Sequence, residues 1–360
     1  MATEERFGRR NFLKRSAGIC TGFLASGIFG CNPDLYNQLQ SDNADKESSL
    51  EKGLSSEWEQ IARLNIPRQH FGAEKMRVLG LKKRKILAIG GLDDRKRVLG
   101  NIEIYDPYTN SWSIMNEELN IPRYYFRSAA DNRGRIYAVS GIVNTNGELT
   151  ETVERFNPRM PENGWEFVAP VNTPRGGAQT VPVHGKIYSI SGIAEGNIPV
   201  NTVEAYNSQE DRWDYIEGLN LPRAFFGAGV DLKGRIYVFG GDCSSDGGKS
   251  FYHTDTTEMF DTSKPEKGWR FAAPLSEAKS VGASATVNNL IFCVGGWKDY
   301  GHISRVEVYD AKKGSWSYHS DMPTPRNHLT ALIIENQLYA LGGDGTSFLS
   351  VNNAERTRAV

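Results

Sequence analysis

Six times along the chain a hydrophobic run ends on a glycine: ILAIGG, IYAVSG, IYSISG, IYVFGG, IFCVGG and LYALGG, closing at Gly91, Gly141, Gly192, Gly241, Gly296 and Gly343. The successive spacings are 50, 51, 49, 55 and 47 residues. Repetition at such a period means one supersecondary unit copied along the chain, none of which can bury its apolar face alone. Each copy continues alike. A variable loop follows the glycines, then a strand such as NIEIYDP, TVERFNP or RVEVYD, then a turn rich in Asn, Asp, Pro and Gly. A strand carrying Trp112, Trp165, Trp213, Trp269 or Trp316 comes next, and a Pro-Arg step with a small-residue strand such as RSAADN leads into the following copy.

A period near 50 with a glycine pair after a hydrophobic strand resembles the Kelch repeat, here from about Ser55 to Arg356. The resemblance implies an all-β, six-bladed propeller with four antiparallel strands per blade. The pieces are unevenly divided, however. The sixth unit stops before any Trp strand, while the first has one too many, around Trp58. An unclosed ring would leave strand edges with unpaired backbone groups. The N-terminal strand near Trp58 is therefore predicted to pair beside residues 350 to 356 and complete the C-terminal blade. Composition agrees: 37 glycines, 15 tyrosines, 16 phenylalanines and 7 tryptophans suit many short strands and tight turns.

Ahead of the repeats, GRRNFLKRSAGICTGFLASGIFGC resembles a twin-arginine export signal, with Arg9 and Arg10 as the pair. Its apolar run of 15 residues is shorter than the roughly 20 needed to span a bilayer, so cleavage is expected. Ile28-Phe29-Gly30-Cys31 looks like a lipobox whose Cys31 sulfur would receive diacylglycerol, although Phe29 stands where such boxes hold a small residue. The polar stretch behind it reads as a tether. The expected organisation is a signal over residues 1–31, a flexible linker over 32–54 and the propeller over 55–360. The expected location is exported, periplasmic or at the cell surface, with a lipid anchor in a bacterial membrane.

With six copies as internal controls, a residue present in every copy serves the blade, and a residue that deviates can serve a ligand. Arg68, Arg123, Arg175, Arg223 and Arg326, with Lys279 in the fifth unit, form a basic ring that could bind an anion such as a carboxylated sugar. Glu103, Glu154, Glu204, Glu258, Glu307 and Glu355 also recur, and buried charges need partners, so internal ion pairs are the first expectation. Cys243 and Cys293 are expected as free thiols, because Cys293 occupies a small core position filled elsewhere by Ala88, Ala138, Ser189, Val238 and Ala340. The scattered histidines suggest no metal site, and no cofactor is expected.

Two residues beyond each Pro-Arg arginine, or beyond Lys279, stand His70, Tyr125, Gly177, Phe225, Val281 and His328. Circular closure makes the first and sixth units neighbours, so His70 and His328 are predicted to meet. They are the candidate acid and base if the protein is a catalyst, and Tyr125, Phe225 and Trp297 are candidate stacking surfaces. The loops after the glycines vary most and should share a face with the Pro-Arg steps. The leading expectation is a monomeric, non-catalytic module that binds a protein or glycan through these loops. The alternative is a carbohydrate-active enzyme such as a sugar-acid mutarotase or epimerase, since the sialic acid mutarotase is similar in architecture and compartment. A formal charge of -1 offers nothing to nucleic acid.

Overall fold

Short apolar runs bounded by Gly, Asn and Asp turns become strands, and the strands assemble into six four-stranded antiparallel sheets. The computed structural model describes residues 58–77 and 84–359. The export signal with Arg9 and Arg10, Cys31 and the linker of residues 32–54 lie outside the described residues. Blade one is Gly72–Arg77, Arg84–Leu92, Val98–Asp106 and Ser111–Ile114. Blades two to six begin with the inner strands Arg127–Ala130, Gln179–Val183, Gly227–Val230, Ser280–Val287 and Thr330–Ile334. Among the described residues the only helical elements are single 3-10 turns, such as Pro161–Asn163.

Blade six takes three strands from the C-terminal end of the chain and its fourth, Glu59–Gln60, from the beginning. Glu59 stands opposite Arg356 and Gln60 opposite Glu355. The Gln60 amide donates to the Glu355 carboxylate at 2.8 Å, and Arg356 pairs with Glu59 at 2.8 Å. The segment that follows stays attached, with Ile61 N donating to Ala354 O and Leu64 N to Asn352 O, both at 3.0 Å. The ring is thus closed by the two ends of one chain, as the uneven division of the repeats requires.

Six buried apolar clusters lie where neighbouring sheets meet. Leu87, Ile89 and Ile102 of blade one pack on Ile136, Ala138 and Phe156 of blade two. Ile86, Ala88 and Tyr105 pack on Leu332, Tyr339 and Leu341 across the closing seam. Burying one such side chain contributes about 1.5–3 kcal/mol, so the core is a circle of interfaces with no single centre. The tryptophans stitch it: Trp112, Trp213, Trp269 and Trp316 donate Nε1 to Ala62 O, Ala169 O, Glu217 O and Ala273 O of the preceding blade, at 2.8–3.0 Å. Trp58 repeats the move toward blade five, donating to Ser320 Oγ at 3.1 Å.

The recurring arginines and glutamates belong to this scaffold. Arg68–Glu103, Arg123–Glu154, Arg223–Glu258 and Arg326–Glu355 pair at 2.6–2.9 Å, Arg175 pairs with Glu204, and Lys279 with Glu307; all six cations are fully buried. Each arginine also donates to main-chain carbonyls, as Arg223 does to Gly240 O and Thr256 O at 3.0 Å. The glutamates hold the crossing segments between blades: Glu258 accepts from the amides of Asn220 and Leu221. The structure therefore places Arg68, Arg123, Arg175, Arg223 and Arg326 in interior ion pairs and away from the channel mouth. A fully buried cation needs a buried anion, and the chain supplies it.

Candidate functional site

The positions that follow the Pro-Arg steps converge. His70, Tyr125, Gly177, Phe225, Val281 and His328 all line the mouth of the central channel. Their backbones are linked around the mouth by five hydrogen bonds. His70 N donates to His328 O, Tyr125 N to His70 O, Gly177 N to Tyr125 O, Phe225 N to Gly177 O and Val281 N to Phe225 O, all at 2.8–3.0 Å. Five of the six residues adopt the left-handed conformation, with φ of 54° at His70, 53° at Tyr125, 63° at Gly177, 52° at Phe225 and 51° at His328. Bulky residues rarely do so. β-Branched Val281 does not, and begins instead inside the extended strand Ser280–Val287. A Cβ on Gly177 would stand 2.8 Å from the Phe225 ring, so glycine there makes room for the aromatic of the next blade.

The side chains of this ring close the channel. The His70 ring centroid lies 3.6 Å from that of Tyr125 and 3.8 Å from that of His328, and Tyr125 lies 5.0 Å from Phe225. The cavity they leave is about 20 Å³, room for about one water. His328 Nδ1 stands 3.2 Å from Asp344 Oδ1, and the buried His302 puts Nε2 at 3.5 Å from Asp344 Oδ2. Burial would raise the Asp344 carboxyl, but His328 and His302 outweigh it and hold it at about 2. His70 is held well below its ordinary value, first by burial, then by the neighbouring His328 and Arg127. It is a neutral imidazole at pH 7.

His70 and His328 meet, as the closure predicts, but in a packed ring whose enclosed cavity is too small for a sugar. Tyr125 and Phe225 belong to the same ring. Trp297 does not: it is 7% exposed and packed by His302 and Phe348, with centroids at 5.0 and 5.4 Å. Cys243 and Cys293 are free and buried.

Sequence reasoning missed three residues. Asp344 sits in the loop after the sixth glycine pair and His302 at the start of the strand Gly301–Asp310, opposite Trp297, and no repeat encodes either placement. Arg127 had a signal: the equivalent positions in the other units hold Gly72, Gln179, Gly227, Ala283 and Thr330, so the second unit alone carries a charge there.

The loops surround the closed mouth. Ile198, Tyr252 and Leu349, from three of them, are 42%, 43% and 50% exposed. Gly248 of the fourth loop lies against Asn197 and Ile198 of the third, so close that a Cβ on it would stand 2.4 Å from Asn197 O. Those two loops thus form one continuous surface.

Comparison with known proteins places the Kelch motif at residues 82–117, 174–220 and 282–323. The chain is 27% identical over 282 residues to Beta-scruin of Limulus polyphemus, across 74% of this chain and 30% of the relative. It is 26% identical over 246 residues to Kelch repeat and BTB domain-containing protein 1 of Camelpox virus, across 68% and 42%. To Kelch-like protein 35 of Mus musculus it is 25% identical over 260 residues, across 72% and 41%. The chain spans less than half the length of these curated relatives. Among solved structures, the one titled "Structure of YjhT" superposes with a TM-score of 0.66 at 15% identity, covering 82% of this chain and 95% of that one. The described residues form an all-β, six-bladed propeller that carries Kelch motifs.

Proposed function

We propose that this propeller is a binding module that grips a protein partner with its loop face, on a chain that is exported and held at a membrane by a lipid on Cys31. The observation that carries the reading is the closed mouth. The cavity of about 20 Å³ that the ring encloses admits no sugar ring, which favours contact with the rim of loops around it. Surfaces of that kind suit macromolecules, with a few exposed apolar side chains as anchors. Ile198, Tyr252 and Leu349 are such anchors, and the third and fourth loops present two of them on one continuous surface. The sugar-acid mutarotase reading has less support, because His70 and His328 face each other and not a substrate-sized space.

The test is capture by the immobilised full-length protein from an extract of its own envelope, with cross-linking to map contacts. Cross-links concentrated in the loops after the glycines, and lost in the I198D/Y252D variant, are the expected result. Cross-links confined to the outer strands, or capture unaltered in that variant, would contradict it. Saturable glycan binding at the same loops would replace the protein partner by a glycan.

A further inference from the structure

Below the closed mouth the channel widens into a second cavity of about 430 Å³, lined by the inner strands of the blades. About half of its walls are small, being alanines, a glycine and hydroxyl residues such as Ser128, Thr180 and Ser284, while Glu74, Lys75, Arg127 and Asp231 put charges on them. Arg127 borders both this cavity and the mouth. Its guanidinium reaches across the channel. Nη1 approaches Thr330 Oγ1 at 3.2 Å and Phe71 O at 3.4 Å, and Nη2 approaches Gly282 O at 3.5 Å. These acceptors are neutral, the contacts are long, and no carboxylate of the described residues lies within ion-pair distance. The five scaffold arginines differ in that each meets a glutamate.

We propose that Arg127 is the cationic anchor of an anion site inside the channel, and that the site takes a small organic carboxylate entering from the face opposite the loops. A half-buried guanidinium on a channel wall with no carboxylate beside it is a cation short of a counter-charge, and an incoming anion supplies one. The planar fork of Arg127 matches a carboxylate with two parallel N–H donors. The cavity lies within the range typical of small-molecule sites and far exceeds a monatomic ion, so the body of the acid would lie against the alanine walls. Glu74, which also lines the cavity, does not already fill the role. Burial raises its carboxyl to about 7, which leaves much of it uncharged near neutral pH. The site is separate from the loop face and does not depend on the protein-binding reading.

The experiment is thermal unfolding of the full-length protein in sodium pyruvate and sodium acetate, with sodium chloride at matched ionic strength. A saturable rise in Tm with pyruvate or acetate over chloride, absent in R127M, is expected. Equilibrium dialysis of labelled pyruvate against the wild-type protein gives the affinity directly. R127K, which keeps the charge but loses the fork, should bind about tenfold more weakly or worse, and this variant serves if R127M does not fold. No carboxylate-specific rise, an equal rise in R127M, or saturation by chloride or sulfate alone would each overturn the proposal.

Discussion

The imidazole rings of His70 and His328 lie 3.8 Å apart, tilted by 44°, although one begins the first blade and the other the last. Their contact exists because the chain's two ends share a blade. It also makes the mouth sensitive to protons, since His70 sits between His328 and Arg127 and is held well below 6.5.

The sign of that shift gives the first prediction. The unfolded chain takes up a proton at His70 as pH falls through about 6.5 while the folded ring does not. Stability from this group is complete above that pH and is lost below it. At pH 5 the loss is up to about 2 kcal/mol. In H70N, whose asparagine tolerates the left-handed backbone, the drop in urea midpoint from pH 7.5 to 5 should be smaller than in the wild-type protein. An equal drop would show that His70 does not resist protonation.

The scaffold ion pairs should be strongly coupled. R223M leaves Glu258 buried without its cation and should cost about 3–5 kcal/mol in denaturant unfolding. The double variant R223M/E258M should be less destabilised than the two single changes added together, by roughly 1–3 kcal/mol. Strict additivity would mean that the pair does not act as a unit.

Burial pushes the Cys243 and Cys293 thiols up to about 12 and about 11, and thiolate is the reactive form. In a variant with Cys20 and Cys31 replaced by serine, the folded protein should give no reaction with Ellman's reagent at pH 8. Both remaining thiols should react in denaturant. A fast reaction of either in the folded state would contradict the buried positions.

Much of this was written in the repeat. The strand order, the six blades, the shared blade and the meeting of His70 with His328 follow from spacing and closure, because a propeller admits no leftover strand. The recurrence of six acids beside six bases likewise announced interior pairs. What the sequence could not disclose was side-chain aim. Nothing in it says that Tyr125, Phe225 and both histidines turn inward and fill the mouth, since that depends on left-handed backbone at bulky residues and on the backbone hydrogen bonds that link them. Nor does it say that Trp297 packs beneath His302 and Phe348. Arg127 was legible as an exception among its five counterparts, and its reach across the channel required coordinates.

The account rests on a ring fastened by its own ends, and disulfide trapping tests that directly. Glu59 and Arg356 are direct cross-strand partners, at a separation that cysteines on facing strands can bridge. In the background lacking Cys20 and Cys31, E59C/R356C should oxidise readily to a species of altered mobility on a non-reducing gel, with a raised Tm that reductant reverses. E59C/R270C, which puts the second cysteine on the outer strand of blade four, should not. Failure of the first pair to cross-link in the folded protein, or equal cross-linking of both, would contradict the closure.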